Sequence, residues 1–279
     1  MTPQQILDNQ PLENEGIVTE LDISHLVIED DIPVDNFQSA QQQRLLVEPL
    51  YSSQTLPPPF IAEANVGLFY KLKGDPPIVP DVMLSLGVQR AADYANRRDR
   101  SYFVWEFGKV PEVCIEIVSN QEGDEVALSQ KSKQKGKTLS KRDIYAQIGV
   151  AYYVVFDPLQ QIQDKANMNG ALLRVWMISP TGYQELTPAE GIINTDQSVW
   201  LEGAGVGLTL WEGAFEEDVS RLWLRWCDAK GQVIPTGAEG QDTERQRADT
   251  ERQRADTERQ RADRLAERLR AMGVDPDKI

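Results

Sequence analysis

Histidine is nearly absent from this sequence, since His25 is the single one among 279 residues. One histidine excludes metal sites built from several imidazoles and argues against a Ser-His-Asp hydrolytic mechanism. The chain has only two cysteines, Cys114 and Cys227, which excludes zinc ribbons and a disulfide framework. Both lie in apolar segments, so we predict two buried, reduced thiols.

Long hydrophobic runs and targeting signals are also missing. The longest apolar run, residues 151–156, is far shorter than the roughly 20 residues that a membrane-spanning helix needs. The first residues are polar and acidic, without the basic and apolar regions of a signal peptide. We therefore expect a cytoplasmic protein with no membrane partner.

Basic residues are scarce relative to acidic ones. Lys and Arg number 29 against 44 Asp and Glu, which gives a net charge of -15. A surface this acidic argues against coating nucleic acid or an anionic membrane over its whole area. Any phosphate binding must then be local, or assisted by a metal ion.

Composition divides the chain into three zones. Residues 1–35 are acidic and irregular, and residues 36–235 alternate strand-like and helix-like patterns. Residues 236–279 form a linker and a charged tail, in which DTERQRA repeats three times over 242–262. Ala248 and Ala255 occupy one heptad position, but Glu251 and Glu258 occupy the other position of the seam. The tail predicts a long solvated helix with at most a short coiled-coil end, and a homo-oligomer stays open.

The central zone predicts an α/β or α+β fold around one mixed sheet. Helices are expected over residues 39–51, with Asp35 or Ser39 as N-cap and Pro49 ending or kinking the helix, and over 137–148, ended by Gly149. Strands are expected at 60–72, 78–86, 112–119, 151–157, 172–179, 183–186, 199–202 and 206–211, whereas 220–228 is a strand or a short helix. The later strands should continue or flank the sheet.

Two carboxylates occur inside apolar strands, where an unpaired charge costs several kcal/mol. Asp81 lies between Pro80 and Val82, and Glu116 lies between two isoleucines. If their strands are neighbours, the two carboxylates could converge and share a divalent cation, which relieves their repulsion. Two independent acids on half-exposed strands remain the alternative.

Lys141 is the third candidate. On a helix it shares one face with Tyr145 and Ile148, which look core-facing, so it should be directed toward the sheet. A lysine beside a metal site can orient a water or neutralise developing charge. The residues alone favour the alternative of a snorkelling lysine whose stem covers apolar surface.

Together these residues resemble a known family. Pro80-Asp81, Glu116 in CIEIVS, Lys141 four residues before Tyr145, and the segment IGVAYYVVFDP (148–158) are similar to the bacterial putative restriction endonuclease family of the PD-(D/E)xK nuclease superfamily. The resemblance covers about residues 36–215. It implies a restriction-endonuclease-like core, a central mixed sheet flanked by helices, to which the charged C-terminal helix is added. It also implies cleavage of DNA phosphodiesters with Mg²⁺, or Mn²⁺ in its place.

The resemblance assigns roles and also shows departures. It makes Asp81 and Glu116 the metal ligands and catalytic acids, with Lys141 as the catalytic lysine. A standard E-x-K motif would place lysine at Val118, so the lysine has moved to the following helix, and Lys137 is a second choice. The family tends to carry an acid on its first helix, for which Glu48 is the best match.

Several other features of the sequence have simpler explanations than a role in catalysis. The Lys-rich stretch before Lys141 either tracks a phosphate backbone or is a solvated loop. Asp124 is interpreted as a solvated loop acid rather than an outer acid of the site, and His25 as a residue without a catalytic role. The tryptophans at 200, 211, 223 and 226 are interpreted as core anchors rather than a base-stacking platform.

Three functions remain. The first is a metal-dependent endonuclease, which the acidic body weakens because DNA affinity comes mainly from phosphate neutralisation. The second is a catalytically inactive nuclease fold that serves as a binding or regulatory module, which the intact set of Asp81, Glu116 and Lys141 weakens. The third is a coiled-coil assembly protein, which the weak heptad seam weakens. We expect the endonuclease.

Overall fold

The computed structural model describes residues 36–71, 77–90, 92, 94, 100–121, 123–134 and 136–272. The acidic segment 1–35 and His25 lie outside the described residues. Five helices are present among them: α1 Phe37–Ser52, α2 Val104–Phe107, α3 Gln130–Gln134, α4 Lys141–Ile148 and α5 Gly237–Ala271. The described strands are β1 Phe60–Ala64, β2 Leu68–Phe69, β3 Val82–Leu86, β4 Tyr102–Phe103, β5 Val113–Ile117, β6 Tyr152–Phe156, β7 Leu173–Ser179, β8 Gly182–Glu185, β9 Ser198–Leu201, β10 Val206–Ala214 and β11 Ser220–Cys227.

A mixed six-stranded sheet forms the centre of the fold, in the order β1-β3-β5-β6-β7-β8. Strands β5 and β6 run parallel, and the other neighbours in this sheet are antiparallel. The long connection from β5 through α3 and α4 to β6 is the crossover that a parallel pair requires. The expected fold, an α/β core around a central mixed sheet with a C-terminal helix, is confirmed.

The last strands form a separate antiparallel sheet, in the order β11-β10-β9. Residues 220–228, for which periodicity allowed a strand or a short helix, contain strand β11, which pairs with β10 along its whole length. Trp223 and Trp226 of β11 are buried core anchors as predicted, whereas Trp200 is 37% exposed, so the prediction is wrong for that residue. Strands β7 and β8 continue the main sheet, so the later strands both continue and flank it.

Both faces of the main sheet are buried, and alternate residues of β5 pack into a different core on each face. Val113, Ile115 and Ile117 pack with residues of α1 and the three-stranded sheet. Cys114 packs on the opposite face, in a core to which α4 contributes Tyr145. This is the alternation predicted for the strand, and it directs Glu116 to the face covered by α4.

Helix α1 differs from its expected ends. Asn36 is the N-cap, and its side chain accepts a hydrogen bond from the Ser39 backbone N–H at 2.8 Å. The helix continues past Pro49 to Ser52, and the Ser53 N–H donates to the Pro49 carbonyl at 3.1 Å. Pro49 has no N–H and so removes one hydrogen bond from the helix. The helix still continues, because its apolar face, with the buried Leu45 and Leu46, packs against the core.

Three segments differ from their sequence patterns. The single strand expected at 60–72 is wrong, because it divides into β1, which ends at Ala64, and β2, which pairs with β4 in a separate parallel sheet. Strand β3 begins at Val82, and Ile78 forms only an isolated bridge with Leu68. Helix α4 begins at Lys141 rather than at residue 137, because Ser140 caps it in a capping box with Asp143. The left-handed Gly149 ends α4 as expected.

Helix α5 runs for 35 residues, and none of them is buried. Its exposure matches the predicted solvated charged helix. Within the described part of the chain, no helix has the length and apolar character to cross a membrane. Cys114 and Cys227 are buried and unbridged, as predicted.

Candidate active site

Asp81 and Glu116 lie beside each other at one edge of the main sheet. Strands β3 and β5 are antiparallel neighbours, and Val82 pairs with Ile115. One residue further along this register, Asp81 stands opposite Glu116. The Asp81 carboxylate accepts a hydrogen bond from the Ile117 backbone N–H at 2.6 Å, so it is tied to the strand that carries Glu116. The expected adjacency of the two strands is confirmed.

Glu116 is buried, and α4 supplies partners for both of its carboxylate oxygens. The Lys141 ammonium donates to Oε2 at 2.8 Å, and the Tyr145 hydroxyl donates to Oε1 at 2.7 Å. Lys141 and Tyr145 lie one helical turn apart and therefore face the sheet together. The shared face expected from sequence thus directs both side chains to the same carboxylate.

The charge state of this cluster follows from its burial. Burial alone would lower the pKa of Lys141, but the carboxylates of Glu116, Glu125 and Asp81 outweigh it and hold that pKa above its usual value. The ammonium is therefore charged at neutral pH. Burial, followed by the charge of Glu116, raises the pKa of Tyr145 well above its ordinary value. The phenol stays protonated and can only donate to the carboxylate.

Glu125 also reaches the cluster, although nothing in the sequence singled it out. Its Oε1 lies 3.9 Å from the Lys141 Nζ, and its side chain is 5% exposed. Its Oε2 is buried and has no hydrogen-bond partner among the described residues. Burial is the main reason why the pKa of Glu125 rises to about 7, against the lowering effect of Lys141.

The backbone around Glu125 is held firmly. Its carbonyl accepts hydrogen bonds from the Tyr153 hydroxyl at 2.8 Å and from the Arg142 N–H at 3.0 Å. The Asp124 carbonyl accepts from the Lys141 N–H at 2.7 Å. Residues 124 and 125 thus satisfy first-turn N–H groups of α4, which would otherwise lack partners.

Helix α1 reaches Asp81 through an amide. Gln43 donates to Asp81 Oδ1 at 3.4 Å and accepts from the Asn65 side chain at 3.0 Å. Glu48, the acid expected from this helix, instead accepts a hydrogen bond from the Gly237 N–H at the start of α5, at 2.9 Å. The residue of α1 that the structure places against Asp81 is therefore Gln43.

Lys137 and Asp124 form a second ion pair at the mouth of the site. The Lys137 ammonium lies 2.5 Å from Asp124 Oδ2, and the Asp124 side chain is 6% exposed. The interpretation of Asp124 as a solvated loop acid is therefore wrong. Asp124 is buried because the loop folds back under the first turn of α4. Lys137, the second choice for the site lysine, contacts Asp124, whereas Lys141 contacts Glu116.

An open cleft of about 500 Å³ adjoins these ion pairs. Tyr70 and Lys71 line it from the segment after β2, and Lys137 and Lys141 line it from the α4 side. Asp124 lines the cleft as well, and Lys137 and Lys141 are paired with Asp124 and Glu116, so the lysines do not give it an excess of positive charge. A phosphate-bearing ligand would enter such a cleft together with a cation that offsets the carboxylates.

The donor atoms suit a hard divalent cation. Four carboxylates face two ammonium groups: Asp81, Glu116, Asp124 and Glu125 against Lys137 and Lys141. Among the residues that the structure describes, no three Asp, Glu, His or Cys side chains are arranged to hold a metal ion. Magnesium commonly takes only one or two protein carboxylates and completes its shell with water and phosphate oxygens. Asp81 and Glu116 fit such a two-carboxylate site.

Comparison with known proteins gives one match. Residues 9–164 match the model of the family described as Uma2, putative restriction endonuclease, which is more than half of the chain. The match contains the main-sheet strands up to β6 and every site residue named above from Gln43 to Tyr153. It confirms the family resemblance. No curated protein matches the chain.

Proposed function

The chain belongs to the Uma2 family of putative restriction endonucleases, and from this premise we propose that it is a metal-dependent endonuclease that hydrolyses DNA phosphodiester bonds. The observation that carries the proposal is the convergence of Asp81, Glu116 and Lys141 at one sheet edge. Asp81 directly precedes β3, Glu116 lies in β5 and Lys141 begins α4, and the family resemblance assigns these residues to holding a cation and stabilising charge.

Asp81 and Glu116 would hold Mg²⁺ or Mn²⁺. When bound, such an ion lowers the pKa of a water ligand and neutralises charge on the phosphate. Asp81 is suited to this role because its carboxylate is already oriented by the Ile117 N–H. Glu116 is suited because a carboxylate offers about four lone-pair positions, of which Lys141 and Tyr145 use two before any cation binds.

Lys141 would act as a charged hydrogen-bond donor. Its raised pKa keeps the ammonium protonated, so it cannot take a proton from the attacking water at neutral pH. It can position that water or a phosphate oxygen and stabilise the negative charge that develops there. The role is electrostatic, and it needs the ammonium to face the cleft that it lines.

DNA is the proposed substrate, and the cleft is where its backbone would enter. Lys71, Lys137 and Lys141 would contact phosphates and release counterions, which makes binding salt-dependent. The salt dependence should be modest, because its slope scales with the number of phosphates neutralised and three lysines line the cleft.

Cleavage of supercoiled plasmid tests the proposal. Nicking should require Mg²⁺ or Mn²⁺, disappear with EDTA, and fall by at least about a hundredfold in Asp81→Asn and Glu116→Gln, as removal of one stabilising group from an active site commonly does. Lys141→Ala should lower turnover. Asp196→Asn is the matched control, since Asp196 is exposed and lies in the loop before β9.

Two outcomes would contradict the mechanism: cleavage that persists in EDTA, or full activity in the Asp81→Asn protein. The absence of cleavage with every metal, together with retained binding of DNA, would favour the inactive binding module instead.

A further inference from the structure

We propose that Glu125 is a positioning residue that receives the Lys141 ammonium when a divalent cation occupies Glu116. This inference rests on the proposed function, because it concerns how the chain accommodates the cation. It gives a role to a buried acid that the hydrolytic mechanism above does not use.

The first support is the position of the ammonium between two carboxylates. Lys141 Nζ lies 2.8 Å from Glu116 Oε2 and 3.9 Å from Glu125 Oε1. The shorter contact is a hydrogen bond, and the longer one is an ion pair without one. A small rotation of the flexible lysine stem would exchange the two partners without moving α4.

The second support is the unused oxygen of Glu125. Its Oε2 is buried and has no hydrogen-bond partner among the described residues. Burying a carboxylate oxygen without a partner costs free energy. The backbone of Glu125 is nevertheless held in this position, because its carbonyl accepts hydrogen bonds from Tyr153 and Arg142.

The third support is electrostatic. A divalent cation on Glu116 would repel the ammonium that now binds the same carboxylate. Without a second acid nearby, cation binding would leave a charged, partly buried lysine unpaired, which is unfavourable. Asp124 is not that acid, because its carboxylate is already bound by Lys137 at 2.5 Å. Glu125 lies 3.9 Å from the ammonium, and its Oε2 can accept a hydrogen bond from it.

A double-mutant cycle on cation affinity tests the role. Mn²⁺ binding is measured by calorimetry and by the loss of the free-ion EPR signal, in the full chain, without DNA. Glu125→Gln should weaken Mn²⁺ binding about tenfold in the wild-type background, a typical coupling between sites. In the Lys141→Met background the same change should have little effect, since no ammonium then needs a second partner.

The alternatives give different patterns. Equal weakening in both backgrounds would make Glu125 a direct ligand and overturn the positioning role, and no weakening in either would also overturn it. Asp124→Asn removes the same charge one residue away, so an equal loss there would attribute the effect to net charge alone. A thermal melt of each variant excludes misfolding.

Failure of the proposed function would look different. In that case the wild-type protein would bind no Mn²⁺, or Asp81→Asn would bind it as tightly as the wild type. Should Glu125→Gln fold poorly, the ¹⁵N signal of the Lys141 ammonium in the wild-type protein provides a second measurement. It should shift on addition of Mg²⁺ while the ammonium stays protonated, and an unchanged signal in protein saturated with Mg²⁺ would overturn the inference.

Discussion

Lys141 and Glu116 form an ion pair of 2.8 Å, although 25 residues separate them in the chain. The contact joins the first residue of α4 to the middle of the fully buried strand β5. It therefore fixes the start of the helix against the sheet edge where Asp81 also lies. The same contact contributes to the stability of the fold and to the arrangement of the proposed catalytic groups.

Lys141→Met should destabilise the metal-free protein. The change leaves the buried Glu116 charge with the Tyr145 hydroxyl as its remaining partner, and breaking a buried pair costs about 3–5 kcal/mol. We expect the lower end of that range, because the Lys141 side chain is 33% exposed. Urea denaturation in EDTA measures the free energy of unfolding.

A double-mutant cycle with Glu116 tests whether the ion pair itself accounts for this loss of stability. Lys141→Met combined with Glu116→Gln should cost clearly less than the sum of the two single changes, because neither variant group then leaves an unpaired charge. Strictly additive losses would show that the two side chains stabilise the protein independently.

Tyr145→Phe should lower the free energy of unfolding by about 1.5–3 kcal/mol, the range for a hydrogen bond to a charged group. Its hydroxyl donates to Glu116 Oε1 at 2.7 Å, and the ring itself stays buried in the variant. Tyr183→Phe is the matched control, since the Tyr183 hydroxyl donates to the neutral Val150 carbonyl at 2.8 Å. Equal losses in urea denaturation would contradict a charge-assisted bond to Glu116.

Local patterns predicted which faces carry Glu116, Lys141 and Tyr145, but the choice of Lys141 for the site came from the family resemblance, because the residues alone favoured a snorkelling lysine. The alternation of β5 assigned Glu116 to one face, and helical spacing assigned Lys141 and Tyr145 to a common face. Both periods depend only on backbone geometry, so a single sequence reveals them. The separation into two sheets was less accessible, because pairing between distant strands has no comparable local pattern.

Glu125 could not be predicted in the same way. Its burial depends on the chain leaving after residue 125 and returning at Lys141, where the Asp124 carbonyl accepts the Lys141 N–H. In the sequence, Glu125 appears as one acid within a polar loop. A run of two acids before a helix is the only signal, and it also describes ordinary solvated loops. Gln43 was overlooked because an amide carries no charge to draw attention.

Glu239 should make part of the stability depend on acid pH. Burial alone would raise the pKa of Glu239, but hydrogen bonds from Arg225 and from the Thr236 backbone lower that pKa below its ordinary value. A carboxyl with a lowered folded-state pKa stabilises the fold above its unfolded-state pKa, and this contribution is lost as pH falls through the folded-state pKa. Stability should therefore decline below about pH 4.5.

Glu239→Gln should remove that part of the decline. The variant should also be less stable at neutral pH, because Arg225 is 1% exposed and would lose its charged partner. The control is Glu244→Gln, whose ion pair with Arg247 lies on the exposed surface of α5. Urea denaturation from pH 3.5 to 7 measures both effects. Parallel plots of stability against pH for wild type and Glu239→Gln would contradict the first effect, and equal stability at pH 7 would contradict the second.

Deletion of residues 242–279 should leave the melting temperature of the body nearly unchanged. From Asp242 onward the hydrogen bonds and the ion pair given for the described part of α5 lie within the helix, and Leu265 and Met272 are 57% and 77% exposed. In contrast, deletion from Thr236 onward should lower the melting temperature. It removes Glu239 from Arg225 and the Gly237 N–H from Glu48.

Calorimetry at several protein concentrations checks both expectations, since stability gained through association depends on concentration. A lower, newly concentration-independent melting temperature after deletion of 242–279 would contradict the prediction and indicate that the exposed helix assembles chains.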